Sequence, residues 1–279
     1  MVVASVKSKK KPKSCAMTST LRCFQVLELF AEEPFELSAS DIADIMSTPK
    51  ATAHRMCTTL VESGFIERVP ASKRYRLTPK SLRVGSGYLR HSAIYRAAFF
   101  PMQALSMQIP GTVQLGVLSE GRVLFIHSTG YSRSIDEFAD VGLQRVLHAT
   151  AAGKLFLADL PLDEVEQLMS HGAKQYTGRT IVTFARMKKE LLNIAAKGYA
   201  VNDEELLPGY YYMAAPVYDA SGTTVATISI TISADRAHRE EEASYAALLC
   251  EAAQKTSIPL GYSLPLKLKS MQVIAPSVR

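Results

Sequence analysis

No run of apolar residues in this chain approaches the roughly 18 needed to cross a bilayer as a helix, which excludes a conventional membrane span. The opening residues, MVVASVKSKKKPKSC, are basic but lack the apolar core of a secretory signal, so a cytoplasmic location is expected. There is no CxxC spacing among Cys15, Cys23, Cys57 and Cys250, and no paired histidines stand near them; a reduced set without zinc is expected. His127, His148 and His171 are isolated from one another, and no Ser/His/Asp or metal constellation is visible, so neither a catalytic centre nor a cofactor is expected. Asp203-Glu204-Glu205 resembles a catalytic carboxylate pair superficially, but capping of a loop explains it better. Internal repeats are absent as well.

What remains is a globular composition, 47% hydrophobic and 21% charged, in 279 residues, long enough for two domains. The charge is unevenly placed. Residues 1–84 hold 14 Lys+Arg against 8 Asp+Glu, whereas the rest of the chain holds 18 of each, so the whole excess of +6 lies in the first third. Lys7, Lys9, Lys10, Lys11 and Lys13 supply most of it, leaving about +1 for the remainder of that segment. Such an arm either adds salt-dependent affinity for a polyanion or simply solubilises the chain.

The stretch from Ser38 to Arg76 reads as two short helices and a hairpin. Ser40 suits an N-cap, with Asp41 and Asp44 in the first turn where carboxylates complement the helix dipole. Thr48-Pro49 is a second start signal, with Thr48 as cap and Pro49 as the first helical residue, and Gly64 is a stop. Within the second helix, Ala53, Met56, Cys57 and Leu60 follow helical periodicity. Lys50, Thr52, His54, Arg55, Thr58 and Thr59 are thereby left on a cationic, hydroxylic outer face. Phe65–Arg68 and Tyr75–Leu77 then alternate around a tip containing Lys73 and Arg74. This is the pattern of a winged helix-turn-helix, whose second helix fits the major groove of duplex DNA while a basic wing reaches phosphates. The same pattern also suits an amphipathic helix pair with a solvated face.

In chain order, residues 1–18 form a basic arm expected to be disordered, and 19–78 a helix followed by the helix-turn-helix and wing. Residues 79–108 carry Leu82, Gly85, Leu89, Ala93, Ala97 and Phe100 at helical spacing, a long linking helix that can pair with its twin, with a kink or new start at Pro101. From Thr112 the period becomes strand-like. TVQLGVL and RVLFIHST flank a hairpin turn at Ser119–Gly121, and an extended region follows near 136–148. A small-residue helix begins at Thr150, with further helices at 162–170 and 184–197, the latter stopped by Gly198. Strands YAVND, YYYMAAPVYD and TTVATISITIS precede a last helix over about 235–255, and residues 263–279 trail off as a tail. Hairpins with segregated helices argue an α+β domain over 109–262, built on an antiparallel sheet.

Six blocks, in order, resemble the IclR family of bacterial transcription regulators: SASDIADIMSTPKATAHRMCTTLVESGFIER, KRYRLTPKSLRVGSGYL, LHATAAGKLFLADLP, YTGRTI, GYAVNDEELLPG and AAPVYDASGTTVATISI. The resemblance implies a winged-helix reader of double-stranded operator DNA, a linker helix and a GAF-like effector domain, working as homodimers or pairs of dimers. Carried over by position, the effector residues are Ala151, Ala152, Asn202, Tyr212, Ser229 and Thr231. Amides at a helix start and paired hydroxyls would then hold a carboxylate or carbonyl without a buried cation. Asn202 stands where many members have Asp, and Tyr212 where they have Cys; both changes favour a small anionic or aldehyde-bearing effector. Within the family the chain is similar to repressors of γ-butyrolactone and 4-hydroxybutyrate breakdown that respond to succinate semialdehyde. Ser47 replaces a glycine common in the turn between the helices. A repressor is the leading expectation; an activator, or an enzyme with an incidental helix-turn-helix, are the alternatives.

Overall fold

A computed structural model describes residues 18–31, 36–130, 141–234 and 241–263; the basic arm and the tail named above lie outside them, apart from Thr18 and Ser263. The chain divides into two compact units, 1–92 and 93–279.

In the first unit, α1 (Thr18–Leu29), α2 (Ala39–Ile45) and α3 (Lys50–Glu62) precede a hairpin of β1 (Ile66–Arg68) and β2 (Tyr75–Leu77), and α4 (Pro79–His91) follows. Its core gathers Val26, Phe30, Leu37, Ile42, Ala43, the α3 stripe, Ile66 and Tyr75. The stripe is the expected one, Ala53, Met56, Cys57 and Leu60. Burial pushes the Cys57 thiol up to about 11, as for an inert packing residue.

The caps differ from the sequence reading. Ser38, not Ser40, caps α2: its hydroxyl accepts from Asp41 N at 3.1 Å, and Ser38 N donates to Asp41 Oδ2 at 2.9 Å. This reciprocal capping box satisfies two orphan amides, where a cap at Ser40 would satisfy one. At α3 the boundary residue is Pro49 and no side chain caps it, while the Thr48 hydroxyl is buried without a partner among the described residues. Thr48 is engaged instead in ending α2. Its amide bonds Ala43 O at 2.9 Å while Ser47 N bonds Asp44 O at 3.2 Å, a Schellman closure with Ser47 held at φ 48°. The turn thus keeps the geometry of a glycine with a serine in place.

The linking segment breaks at Ser92 rather than Pro101. α4 ends at His91, Ser92 turns extended, and α5 (Ala93–Ser106) runs through Pro101.

In the second unit, one six-stranded antiparallel sheet has the order β5-β4-β3-β8-β7-β6. Its strands are β3 (Thr112–Ser119), β4 (Arg122–Gly130), β5 (Gln144–Arg145), β6 (Ala200–Asp203), β7 (Tyr210–Tyr218) and β8 (Thr224–Ser233). Glu120 and Gly121, both at positive φ, form the tight β3–β4 turn. Of the extended region expected near 136–148, Gln144–Arg145 is strand, and 136–140 lie outside the described residues. α5 and α9 (Glu242–Ser257) pack on one face of the sheet. The last helix extends two residues past its expected end, and its expected first turns fall in 235–240, outside the described residues. The opposite face receives α6 (Ala151–Ala158), with α7 (Leu162–Ser170) and α8 (Phe184–Lys197) beyond it. Around Leu155, Phe156, Val165, Met187 and Leu191 these helices build a core against Val123, Phe125, Ala200 and Ala214. Gly153 lets α6 sit close, because a Cβ there would overlap the backbone of Leu147.

Candidate DNA interface and effector cavity

On α3, His54, Arg55, Thr58, Thr59 and Lys50 are exposed and Thr52 is half-buried, so the expected outer face is presented as one surface. The Thr58 and Thr59 hydroxyls donate back to His54 O and Arg55 O, leaving their oxygens as acceptors. In the wing, Lys73 is exposed at φ 56°. Arg74 is more committed: its guanidinium donates to Glu36 O at 2.9 Å and pairs with Asp41 at 3.3 Å, tying the wing to the cap of α2. Arg76 pairs with Glu67 across the hairpin. Lys73 is therefore the expected wing cation with no such intramolecular ion pair among the described residues.

In the second unit, strand register assembles the other candidate site. Thr112 pairs with Thr231, Thr231 with Tyr212, and Tyr212 with Asn202, a row crossing β3, β8, β7 and β6. One step along, Gln114 pairs with Ser229 and Ser229 with Ala214. Strand alternation puts both rows on the face toward α6. The space between is a cavity of about 230 Å³, and all six effector residues expected from the sequence line it.

The first turn of α6 forms one end. Thr150 caps the helix by accepting from Gly153 N at 3.0 Å and donates to Val146 O at 2.8 Å. Ala151 and Ala152 follow, both buried on the cavity wall, with first-turn amides that have no intrahelical acceptor. Asn202 has a structural role that the sequence left open. Its Nδ2 donates to Ala149 O at 2.5 Å and its Oδ1 accepts from Glu205 N at 2.8 Å, so it fixes both the α6 entry and the β6–β7 loop. Thr231 donates to Gln114 Oε1 at 3.1 Å. Thr112, only 1% exposed, has a buried hydroxyl with no partner among the described residues.

Several lining residues escaped sequence reasoning: Thr112, Gln114, Phe125, Arg145, Thr150, Leu206, Leu207 and Tyr210. Arg145 corrects the expectation of a site without a cation, since its half-buried side chain lines the cavity from β5. The polar alternation Thr112-Gln114 in an otherwise apolar strand was a usable signal. Arg145 had none, because a two-residue edge strand brings it in.

Lys154 was also missed. It is fully buried on α6, where its ammonium pairs with Glu205, with Glu190 at 3.2 Å and with Val201 O at 2.9 Å. Of the isolated histidines, His148 Nε2 lies 2.9 Å from Lys174 O and His171 Nδ1 lies 2.6 Å from Gln167 O, whereas His127 packs between Tyr95 and Phe99, where burial lowers its pKa and its Nε2 has no hydrogen-bond partner among the described residues. Among the described residues no cluster of His, Cys, Asp or Glu is arranged to hold a metal, and no helix is long and apolar enough to cross a membrane.

A winged helix-turn-helix joined in one chain to an antiparallel sheet with a polar cavity is the plan of a transcriptional regulator. The chain belongs to the IclR family of bacterial transcriptional regulators: the IclR helix-turn-helix domain matches residues 19–70 and the IclR C-terminal domain residues 86–258. It is 30% identical over 254 residues to the HTH-type transcriptional regulator KdgR of Escherichia coli K12, covering 91% of this chain and 95% of that one. Among solved structures, an IclR transcriptional regulator from Alicyclobacillus acidocaldarius superposes with TM-score 0.79 at 25% identity, covering 88% of this chain and all of that one. The Agobacterium tumefaciens repressor BlcR superposes with TM-score 0.55 at 27% identity, covering 88% and 97%. Its fit is thus looser than that of the Alicyclobacillus regulator. The family and its curated relatives are regulators of transcription, not enzymes.

Proposed function

We propose that the protein is an effector-responsive repressor of a small-molecule catabolic operon. It binds double-stranded operator DNA through the α3 face and wing, as a homodimer or pair of dimers, and is released by a small carboxylate or carbonyl metabolite such as succinate semialdehyde. The cavity carries this reading. At about 230 Å³ it is smaller than the roughly 300–1,000 Å³ of sites for drug-sized ligands. It combines Arg145 and helix amides, suited to an anion, with hydroxyl and amide groups of Thr112, Gln114, Ser229 and Thr231 suited to a second polar end. The stacked Tyr210 and Tyr212 rings, 6.1 Å apart, limit its width. Repression is supported by the likeness to BlcR, itself a repressor. Pairing is supported by α4, which has no buried residue and exposes Leu82, Val84 and Tyr88.

A thermal-shift series of semialdehydes, hydroxy acids, 2-oxo acids and aromatic acids tests the effector class, since a ligand of the native state stabilises it by mass action. Stabilisation by the short acids, lost in Arg145→Ala and Thr231→Val, is expected, together with release of operator DNA without consumption of the ligand. Shifts with aromatic acids alone would sink the small-effector reading. For DNA, Arg55→Ala should weaken binding to the operator selectively, whereas Lys73→Ala should weaken binding to all sequences and lower the salt slope.

A further inference from the structure

One wall of the cavity is irregular chain. Leu206 and Leu207 line it from the β6–β7 loop, residues 204–209, and Tyr210 lines it where β7 begins. The position of that loop therefore helps to set the shape of the cavity. The loop is closed on itself: Glu204, at φ 57°, donates its amide to Tyr210 O at 3.1 Å and accepts from Gly209 N through Oε2 at 2.9 Å. Cross-linked in this way it is a unit, and its attachments decide where the two leucines sit. Its exit is tied by Ala234 N, which donates to Gly209 O at 2.8 Å.

Its entry is gripped by residues 176–181, the YTGRTI block that precedes α8. Thr177 Oγ1 donates to Glu204 O at 2.8 Å, Thr180 Oγ1 donates to Glu205 O at 2.6 Å, and the Ile181 amide hydrogen-bonds the Glu205 carboxylate. Arg179 adds ion pairs to Asp203 at 2.8 Å and Glu204 at 3.3 Å, which are half exposed and contribute little. Thr180 is the centre of the block. It is only 2% exposed, and its oxygen accepts from the amides of Tyr176 and Thr177 at 3.0 and 2.9 Å while its proton goes to Glu205 O. Both acceptor positions and the single donor of the hydroxyl are thereby used. One group folds the block and fastens the loop to it. Among the described residues none of 176–181 lines the cavity, so Thr180 can act on it only through the loop.

We propose that Thr180 is a positioning residue of the effector site: through Glu205 it holds the β6–β7 loop, and with it the Leu206 and Leu207 wall, in the arrangement that receives the ligand. This rests on the reading of the cavity as the effector site. Valine keeps the shape of threonine but offers no partner to Glu205 O or to the two amides, so Thr180→Val releases the loop without emptying the core. Serine keeps the hydroxyl and should keep the grip.

The test follows amide hydrogen exchange by mass spectrometry in the full-length protein without ligand, then titrates succinate semialdehyde by calorimetry. Thr180→Val should speed exchange over 204–210 about tenfold or more, leave the β3–β8 pairing and α3 as protected as in the wild type, and weaken succinate semialdehyde about tenfold. Thr180→Ser should restore both. Should Thr180→Val fail to fold, Thr177→Val, at a half-buried position of the same block, should give the same two effects at about threefold. Unchanged exchange over 204–210, failure of Thr180→Ser to restore it, or full affinity despite a loosened loop would overturn the inference. A wild type that binds no succinate semialdehyde would sink the choice of that effector instead, and exchange without ligand would still decide whether Thr180 holds the loop.

Discussion

Ser47 and Lys154 each occupy a conformation or environment that the side chain does not favour, and each makes a measurable prediction. Ser47 sits at φ 48°, in the left-handed region, as the closing residue of the Schellman turn after α2. Gly64 closes α3 in the same way at φ 75°, with Gly64 N on Val61 O and Phe65 N on Leu60 O. A non-glycine residue there costs about 1–2 kcal/mol, partly offset by the greater freedom that glycine has when unfolded. Ser47→Gly should therefore stabilise the first unit by roughly 0.5–1 kcal/mol, read as a higher urea midpoint with an unchanged slope. Lys154 predicts the opposite. Truncating one member of a buried ion pair leaves the other uncompensated, so Lys154→Met should cost about 3–5 kcal/mol in urea denaturation. Replacing Lys154 and Glu205 together by apolar residues should cost much less than the sum of the single changes. Additive losses would mean that the pair is not energetically coupled.

At the scale of elements, the capping box of α2 links local structure to pH. The Ser38 amide and hydroxyl hold the Asp41 carboxyl below its ordinary pKa, with help from Arg74. A depressed folded value means that the contribution is present above the unfolded pKa of about 4 and fades as pH falls through the folded one. Ser38→Ala should cost about 1 kcal/mol at pH 7, and Asp41→Asn should flatten the loss of first-unit stability below pH 4, both followed by circular dichroism. Elements bounded by backbone-restricting residues were legible in the sequence. α7 and α8 span 162–170 and 184–197 as read, because Pro161 and Gly198 leave few alternatives. The β3–β4 hairpin followed from its turn. Where two residues could serve one local role, competition among hydrogen bonds decided, as with Ser38 over Ser40. Pro101 starts no new helix, since α5 runs through it, whereas the break falls at Ser92, which adopts ψ 115°. Of the cavity, positions on strongly patterned strands and the α6 start were readable. Arg145 and the partners of Lys154 come together through tertiary pairing that no local pattern records.

Across the whole molecule, charge sets a limit on how DNA affinity can arise. Residues 85–279 are electrically balanced, and residues 18–84 carry 9 Lys+Arg against 8 Asp+Glu. Arg74 and Arg76 are further committed to Asp41 and Glu67. Each neutralised phosphate contributes about 0.9 to the slope of log K against log salt, so a single reader of this kind has a shallow slope. Tight binding then needs two readers on one operator, the five arm lysines, or both. The arm adds charge without reading bases, so it should act on every sequence alike. Deleting residues 1–17 should therefore reduce the salt slope, by up to about 0.9 for each phosphate that the arm neutralises, and weaken operator and random DNA by the same factor. Fluorescence anisotropy across a salt series, with operator and scrambled duplexes, measures both quantities. An unchanged slope would assign the arm to solubility and leave pairing of the readers as the source of affinity; a selective loss on operator DNA would mean that the arm reads sequence.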